Sequence, residues 1–241
     1  MKKILVLITL IFSLILVWPT NKVLDGSAQL QTNSIISKVI AKLREDQNIT
    51  LNLEEYKRRY IYDCVSRDLC STEPKSIERI KTIRNIDYVI EKDGKRIDPP
   101  KKMRFNMSAL DGKILVRYDF VEIDSLDPNA MVYDFHPKTD RPKATSATER
   151  AIDTTTGRMT ISRSDFGIIS ISSELSRPIS FGNLFLIEVF RLFNFDITVD
   201  RKKFHNKYYT TTRSVTYVKF QRVFSHKKYE KHEIVLTNPS Q

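Results

Sequence analysis

Between residues 148 and 179 the polarity of the chain alternates with a period of two. Met159 and Ile161 point to one side, while Arg158, Thr160 and Ser162 point to the other. Ile169, Ile171 and Leu175 repeat the pattern against Ser170, Ser172 and Glu174. Such alternation, with Ser, Thr and Arg on the wet side, predicts antiparallel strands buried on one face only. The run from Arg163 through Ser164, Asp165 and Phe166 to Gly167 has the chemistry of a hairpin turn between them. Asp153 to Gly157 marks a turn before the first strand.

The same period predicts most of the other elements. Tyr56, Arg58, Tyr60, Tyr62 and Cys64 share one face of an early strand, opposite Lys57, Arg59 and Asp63. The stretch 71–85 fits both periods, because Ile77, Ile80 and Ile83 also suit a helix; strand is the preferred reading. Residues 88–91 form a strand that stops at Asp93 and Gly94. Pro99 and Pro100 read as an exposed connection with room for a short helix. Further strands follow at 115–123, where Val116, Tyr118 and Phe120 share a face, and around Met131, Tyr133 and Phe135. The last two run through 208–224 and 229–236. One helix stands out, capped by Asn33 or Ser34 and running to about Glu45, with Ile35, Ile36, Val39, Ile40 and Leu43 along one side. The apolar stretch 181–195, charged only at Glu188 and Arg191, is too short to span a bilayer. It reads either as a buried helix or strand closing the core, or as a lid or membrane-touching element at the open edge of the sheet.

The N-terminus changes the compartment. Lys2 and Lys3 precede an apolar run from Ile4 to Trp18, which suits a secretory signal, with cleavage before Gln29 after Gly26, Ser27 and Ala28. The expected organisation is a signal peptide at 1–28, or an uncleaved signal anchor, and a single domain at 29–241. Export, to the periplasm or the cell envelope, puts Cys64 and Cys70, the two cysteines, in an oxidising setting. Their spacing fits a clipped hairpin with a disulfide, free thiols being the alternative. The 241-residue chain carries a formal charge of +11, with clusters such as Lys57, Arg58, Arg59 and Arg201, Lys202, Lys203. That charge admits an anionic membrane surface as a partner. Export and the lack of a recognition motif argue against nucleic acid.

No catalytic constellation is visible. His136, His205, His226 and His232 have no metal-ligand spacing, and glycine is too scarce to build a phosphate or dinucleotide loop. No metal or cofactor is expected, and a binding role is favoured over an enzyme. Oligomeric state is open.

Three segments resemble the LolA/LolB-like superfamily, and more closely a group of exported proteins similar to outer-membrane lipoprotein-sorting proteins. The first pairs the strand Tyr60 to Cys64 with the turn region Ile90 to Ile97; the second is Val132 to Pro137; the third runs from Ala151 to Gly157 and on through Arg177, Pro178 and Ile179. The Trp-x-Pro strand start common in that group is absent near Tyr208, and the carrier's functional arginine is not placed on any position of this chain. The resemblance implies an α+β fold, mostly antiparallel β: a curved half-open β-barrel covered on its concave side by the N-terminal helix and short helices. It further implies an apolar cavity for acyl chains, with a lipid or lipidated protein as partner. Met131, Tyr133, Phe135, Met159, Ile161, Ile169 and Ile171 are the expected concave lining, with Phe185, Phe190 and Phe193 near the mouth. The alternative is a non-enzymatic envelope scaffold using the same fold with a filled core.

Overall fold

The computed structural model describes residues 26–50, 53–84, 86–103, 117–141, 143–144, 147–184, 187–222 and 225–237. The apolar run 4–18, Val116 and Phe185 therefore lie outside the described residues. Strand dominates, and all described pairings are antiparallel. Helix α1 (Gly26–Thr50) is followed by β1 (Glu55–Asp63), β2 (Ser76–Ile83), β3 (Ile86–Lys92), β4 (Lys95–Lys102), β5 (Tyr118–Ile123) and β6 (Ala130–Pro137). After the short helix α2 (Ala147–Ile152) come β7 (Thr155–Ser162), β8 (Ile168–Leu175), β9 (Ile179–Leu184), β10 (Ile187–Phe204), β11 (Tyr208–Arg222) and β12 (Lys228–Thr237).

One open sheet holds the described strands, in the order β4-β3-β2-β1-β12-β11-β10-β8-β7-β6-β5, with β9 paired to β10. The last strand, β12, closes the gap between the two halves of the chain by pairing with both β1 and β11. No pairing between β4 and β5 occurs among the described residues, so the sheet is unclosed. No described helix is long and apolar enough to cross a membrane.

Local chemistry explains the joints. Asp93 (φ 50°) and Gly94 (φ 77°) turn the β3–β4 hairpin in the left-handed pair that an Asp-Gly turn favours. Between β7 and β8, the Ser162 amide donates to the Gly167 carbonyl and the Gly167 amide donates to the Asp165 carboxylate. Cys64 and Cys70 are disulfide-bonded at the end of β1, where the Ser71 amide also reaches back to the Asp63 carbonyl.

Several expectations are corrected. Helix α1 begins at Gly26 and ends at Thr50, so Asn33 and Ser34 lie inside it rather than capping it. Residues 147–152 form α2, and Thr155 to Gly157 belong to β7; only Asp153 and Thr154 remain a turn. Pro99 and Pro100 sit in β4, which is tolerable because β4 is an edge strand and needs fewer ladder donors. The ambiguous stretch around Ile80 is strand β2, and the described residues of the apolar stretch are strand, 181–184 in β9 and 187–195 in β10. On β1 the alternation holds, and the more buried face is the one that carries Lys57. Lys57 and Ile61 are buried, whereas Tyr56, Tyr60 and Tyr62 are only half-buried.

Candidate ligand-binding face

Directly paired residues in a β-ladder share a face, so register alone traces a row across nine strands. It runs Glu78, Arg59, Ile234, Ser214, Val199, Ile171, Met159, Tyr133, Glu122, from β2 to β5. The row changes character midway. From β10 to β6 it is apolar; from β2 to β11 it is ionic or hydroxylic, broken by Ile234.

The apolar half lies against α1. Ile36, Val39 and Leu43, spaced three and four apart, join Tyr118, Phe120, Met131, Tyr133, Phe135, Met159, Ile161, Ile168 and Ile171 in one buried cluster. The structure thus gathers Met131, Tyr133, Phe135, Met159, Ile161 and Ile171 in one place, each at most 8% exposed, and contact with α1 helps bury them. Ile169 does not join them. The register slips between Thr160 and Ile161, making Ile169 a bulge residue, and Ile168 takes its place in the core. Phe190 and Phe193 are half-buried on β10, outside this cluster, and Phe185 is not described. Tyr118 and Phe120 belong to the lining as well: Tyr118 packs edge-on against Phe135, with ring centroids 5.0 Å apart. Burial, then the Glu122 carboxylate, pushes the Tyr133 hydroxyl up to about 12.

The ionic half is also buried, which alternation alone does not indicate. Lys57 lies 3.4 Å from Asp87 and 3.6 Å from Glu55; the Thr82 hydroxyl donates to Asp87, and the Thr210 hydroxyl donates to Glu55 at 2.6 Å. The Arg59 guanidinium donates to Glu78 beside it. Where the two halves meet, Asp46 of α1 is 1% exposed and flanked by Lys42 at 3.2 Å and Arg201 at 3.7 Å. Burial raises the Asp46 carboxyl, against the pull of both cations. The Arg201 guanidinium also donates to the Tyr209 carbonyl at 2.7 Å. Asp46 had a signal in the sequence: it falls seven residues after Val39 and three after Leu43, on the buried stripe.

A groove of about 470 Å³ lies against β1–β3, lined by Arg58, Lys75, Ile77, Arg79, Glu91 and Asp93 among others. Arg58 and Arg79 are paired in the ladder and exposed, on the opposite face from Lys57 and Glu78, so this polar groove is not the apolar site. Among the described residues no cluster of His, Cys, Asp and Glu could hold a metal ion. The chain matches no known family model, no characterised protein and no solved structure.

Proposed function

We propose that this is an exported, non-enzymatic envelope protein that binds an amphiphile, a lipid or the acyl part of a lipidated protein. In this reading the open sheet curls into a half-barrel and α1 is its stopper. The single observation that carries the proposal is the transverse row: its apolar stretch from β10 to β6, bounded by Glu122 on β5, adjoins an ionic or hydroxylic stretch from β2 to β11. That pairing matches a molecule with a tail and a headgroup. The patterned likeness to lipoprotein-sorting carriers points the same way.

Magnitudes make the exchange of helix for ligand reasonable. Burying Ile36, Val39 and Leu43 contributes about 1.5–3 kcal/mol each, so roughly 5–9 kcal/mol holds α1 on the apolar half. An acyl chain gains about 0.8 kcal/mol per buried methylene, so about ten methylenes offset that loss. Lifting α1 also parts Asp46 from the largely buried Arg201, so the ionic end adds resistance unless an anionic headgroup of the ligand takes the place of that carboxylate.

A second reading has its own support. The lining is already packed against α1, which suits a filled scaffold with no ligand. Native mass spectrometry after extraction from membranes, together with titration by a fluorescent fatty acid, separates the two. The carrier reading expects co-purifying lipid and saturable uptake that Ile171→Glu abolishes. A folded protein without either is the scaffold.

A further inference from the structure

β10 is longer than its neighbour β8. It pairs with β8 over Asp196–Asp200 and with β9 over Ile187–Leu192, along the same edge, while β11 runs beside it on the other. The end of the sheet built by β9, β10 and β11 lies outside the buried cluster under α1. There, aromatic rings and cations interleave. Phe190 stacks on Phe220 with ring centroids 5.6 Å apart, and the Arg222 guanidinium lies over Phe220 at 5.9 Å. Phe193, the residue bulged out between Leu192 and Asn194, carries the Arg191 guanidinium at 5.2 Å and the Lys227 ammonium at 4.7 Å. The three phenylalanines are half-buried and the three cations are exposed.

Cations seated on rings set this end apart from the other exposed strand positions. Arg158 faces Asp134 at 2.8 Å, Arg213 faces Glu233 at 2.8 Å and Arg79 faces Glu91 at 2.9 Å, while Arg58 and Arg96 make neither an ion pair nor a ring contact among the described residues. Here Arg222 and Lys227 make no ion pair among the described residues. Across 187–195, 218–222 and 225–228 the cations Arg191, Lys219, Arg222, Lys227 and Lys228 face one acid in sequence, Glu188. Phenylalanine rings bury at the boundary between headgroups and acyl chains, and basic side chains beside them gain from anionic lipid.

We propose that this end of the sheet docks on the interface of an anionic bilayer, with Phe190, Phe193 and Phe220 at the boundary between headgroups and acyl chains and Arg191, Arg222 and Lys227 on lipid phosphates. Phe190, Phe220 and Arg222 continue the face of Ser214 and Val199 beyond the α1-covered cluster, and Arg191 lies on the opposite face, so the bilayer meets the end of the sheet. None of these residues belongs to the lining, so docking stands or falls independently of ligand uptake.

The test places an environment-sensitive fluorophore on Asn194→Cys, an exposed neighbour of Phe193, in the full chain, where Cys64 and Cys70 are already bridged. Vesicles containing phosphatidylglycerol are expected to blue-shift its emission, less so as salt rises, while phosphatidylcholine vesicles leave it unchanged. A probe on Lys101→Cys, in edge strand β4, is expected to stay silent. Removing Arg191, Arg222 and Lys227 together as Gln should raise the lipid needed for half the shift on the order of 100-fold, since each basic residue contributes about fivefold. The matched triple Lys95→Gln, Arg96→Gln and Lys101→Gln should not. Equal shifts at both probes, equal loss in both triples, no preference for the anionic lipid, or response to a single-stranded oligonucleotide in place of vesicles would each overturn the proposal.

Discussion

Asp46 takes the position on α1 where the stripe of Ile36, Val39 and Leu43 calls for another aliphatic residue. Its partners make the position tolerable, and they also make it vulnerable. Asp46→Ala leaves the largely buried Arg201 uncompensated and is expected to lower stability by about 3–5 kcal/mol in urea denaturation. Asp46→Leu combined with Arg201→Met removes both charges and is expected to recover most of that loss. Should the single and the double variant be equally unstable, the ion pair is not what matters there. Leu43 is the apolar counterpart. Leu43→Ala is expected to destabilise by about 2–5 kcal/mol, through lost burial plus the cavity left against the cluster.

Strand pairing decides which of these residues meet. Gly157 lies in β7 where any Cβ would collide with the Ser172 carbonyl of β8 and the Phe135 ring of β6. Gly157→Ala is therefore expected to cost at least about 2 kcal/mol, read from the urea midpoint at unchanged slope. An effect below about 0.5 kcal/mol would mean that β6, β7 and β8 pair more loosely than their register indicates. Elements of this kind also set how far the sequence could be read. Met131, Tyr133, Phe135, Met159 and Ile161 were legible as one face because nothing interrupts their alternation. Ile169 was not, because the bulge inserts one residue and hands its place to Ile168. On β1 both faces carry some apolar area, and pattern could not foresee that Lys57, once paired with Asp87 and Glu55, is buried in preference to the tyrosines. The length of α1 escaped for a related reason: Asn33 and Ser34 are good caps that the helix simply passes through.

At the scale of the whole molecule, ion pairs tie distant parts of the chain together, and their titration gives the protein its acid limit. Glu230 joins Lys75 at 2.7 Å and His232 at 2.9 Å; burial would raise its carboxyl, but these partners outweigh burial and hold it at about 2. Asp165 behaves likewise. Burial opposes, yet Lys203 at 2.6 Å, with Ser162, the Gly167 amide and Tyr209, brings it to about 2. Both values lie below those of an unfolded chain, 4.5 and 3.8, so their stabilisation is complete above about pH 4.5 and is lost as pH falls towards 2. Asp46 has the opposite sign: its raised carboxyl favours the folded state less as pH climbs above 3.8. Urea titrations from pH 7 to pH 2 are expected to show falling stability below about 4.5, and Glu230→Gln should remove about 3 kcal/mol of that dependence. A variant with an unchanged pH profile would contradict the assignment.

The account turns on α1 being a stopper over an apolar sheet face that an acyl chain can occupy instead. Hydrogen exchange with and without a saturating long-chain fatty acid tests this most directly. The expected result is faster exchange of the α1 amides around Ile36, Val39 and Leu43 when ligand is bound, with β6, β7 and β8 as protected as before. Unchanged protection of α1 at full ligand occupancy, or protein that takes up no fatty acid at all, would contradict it.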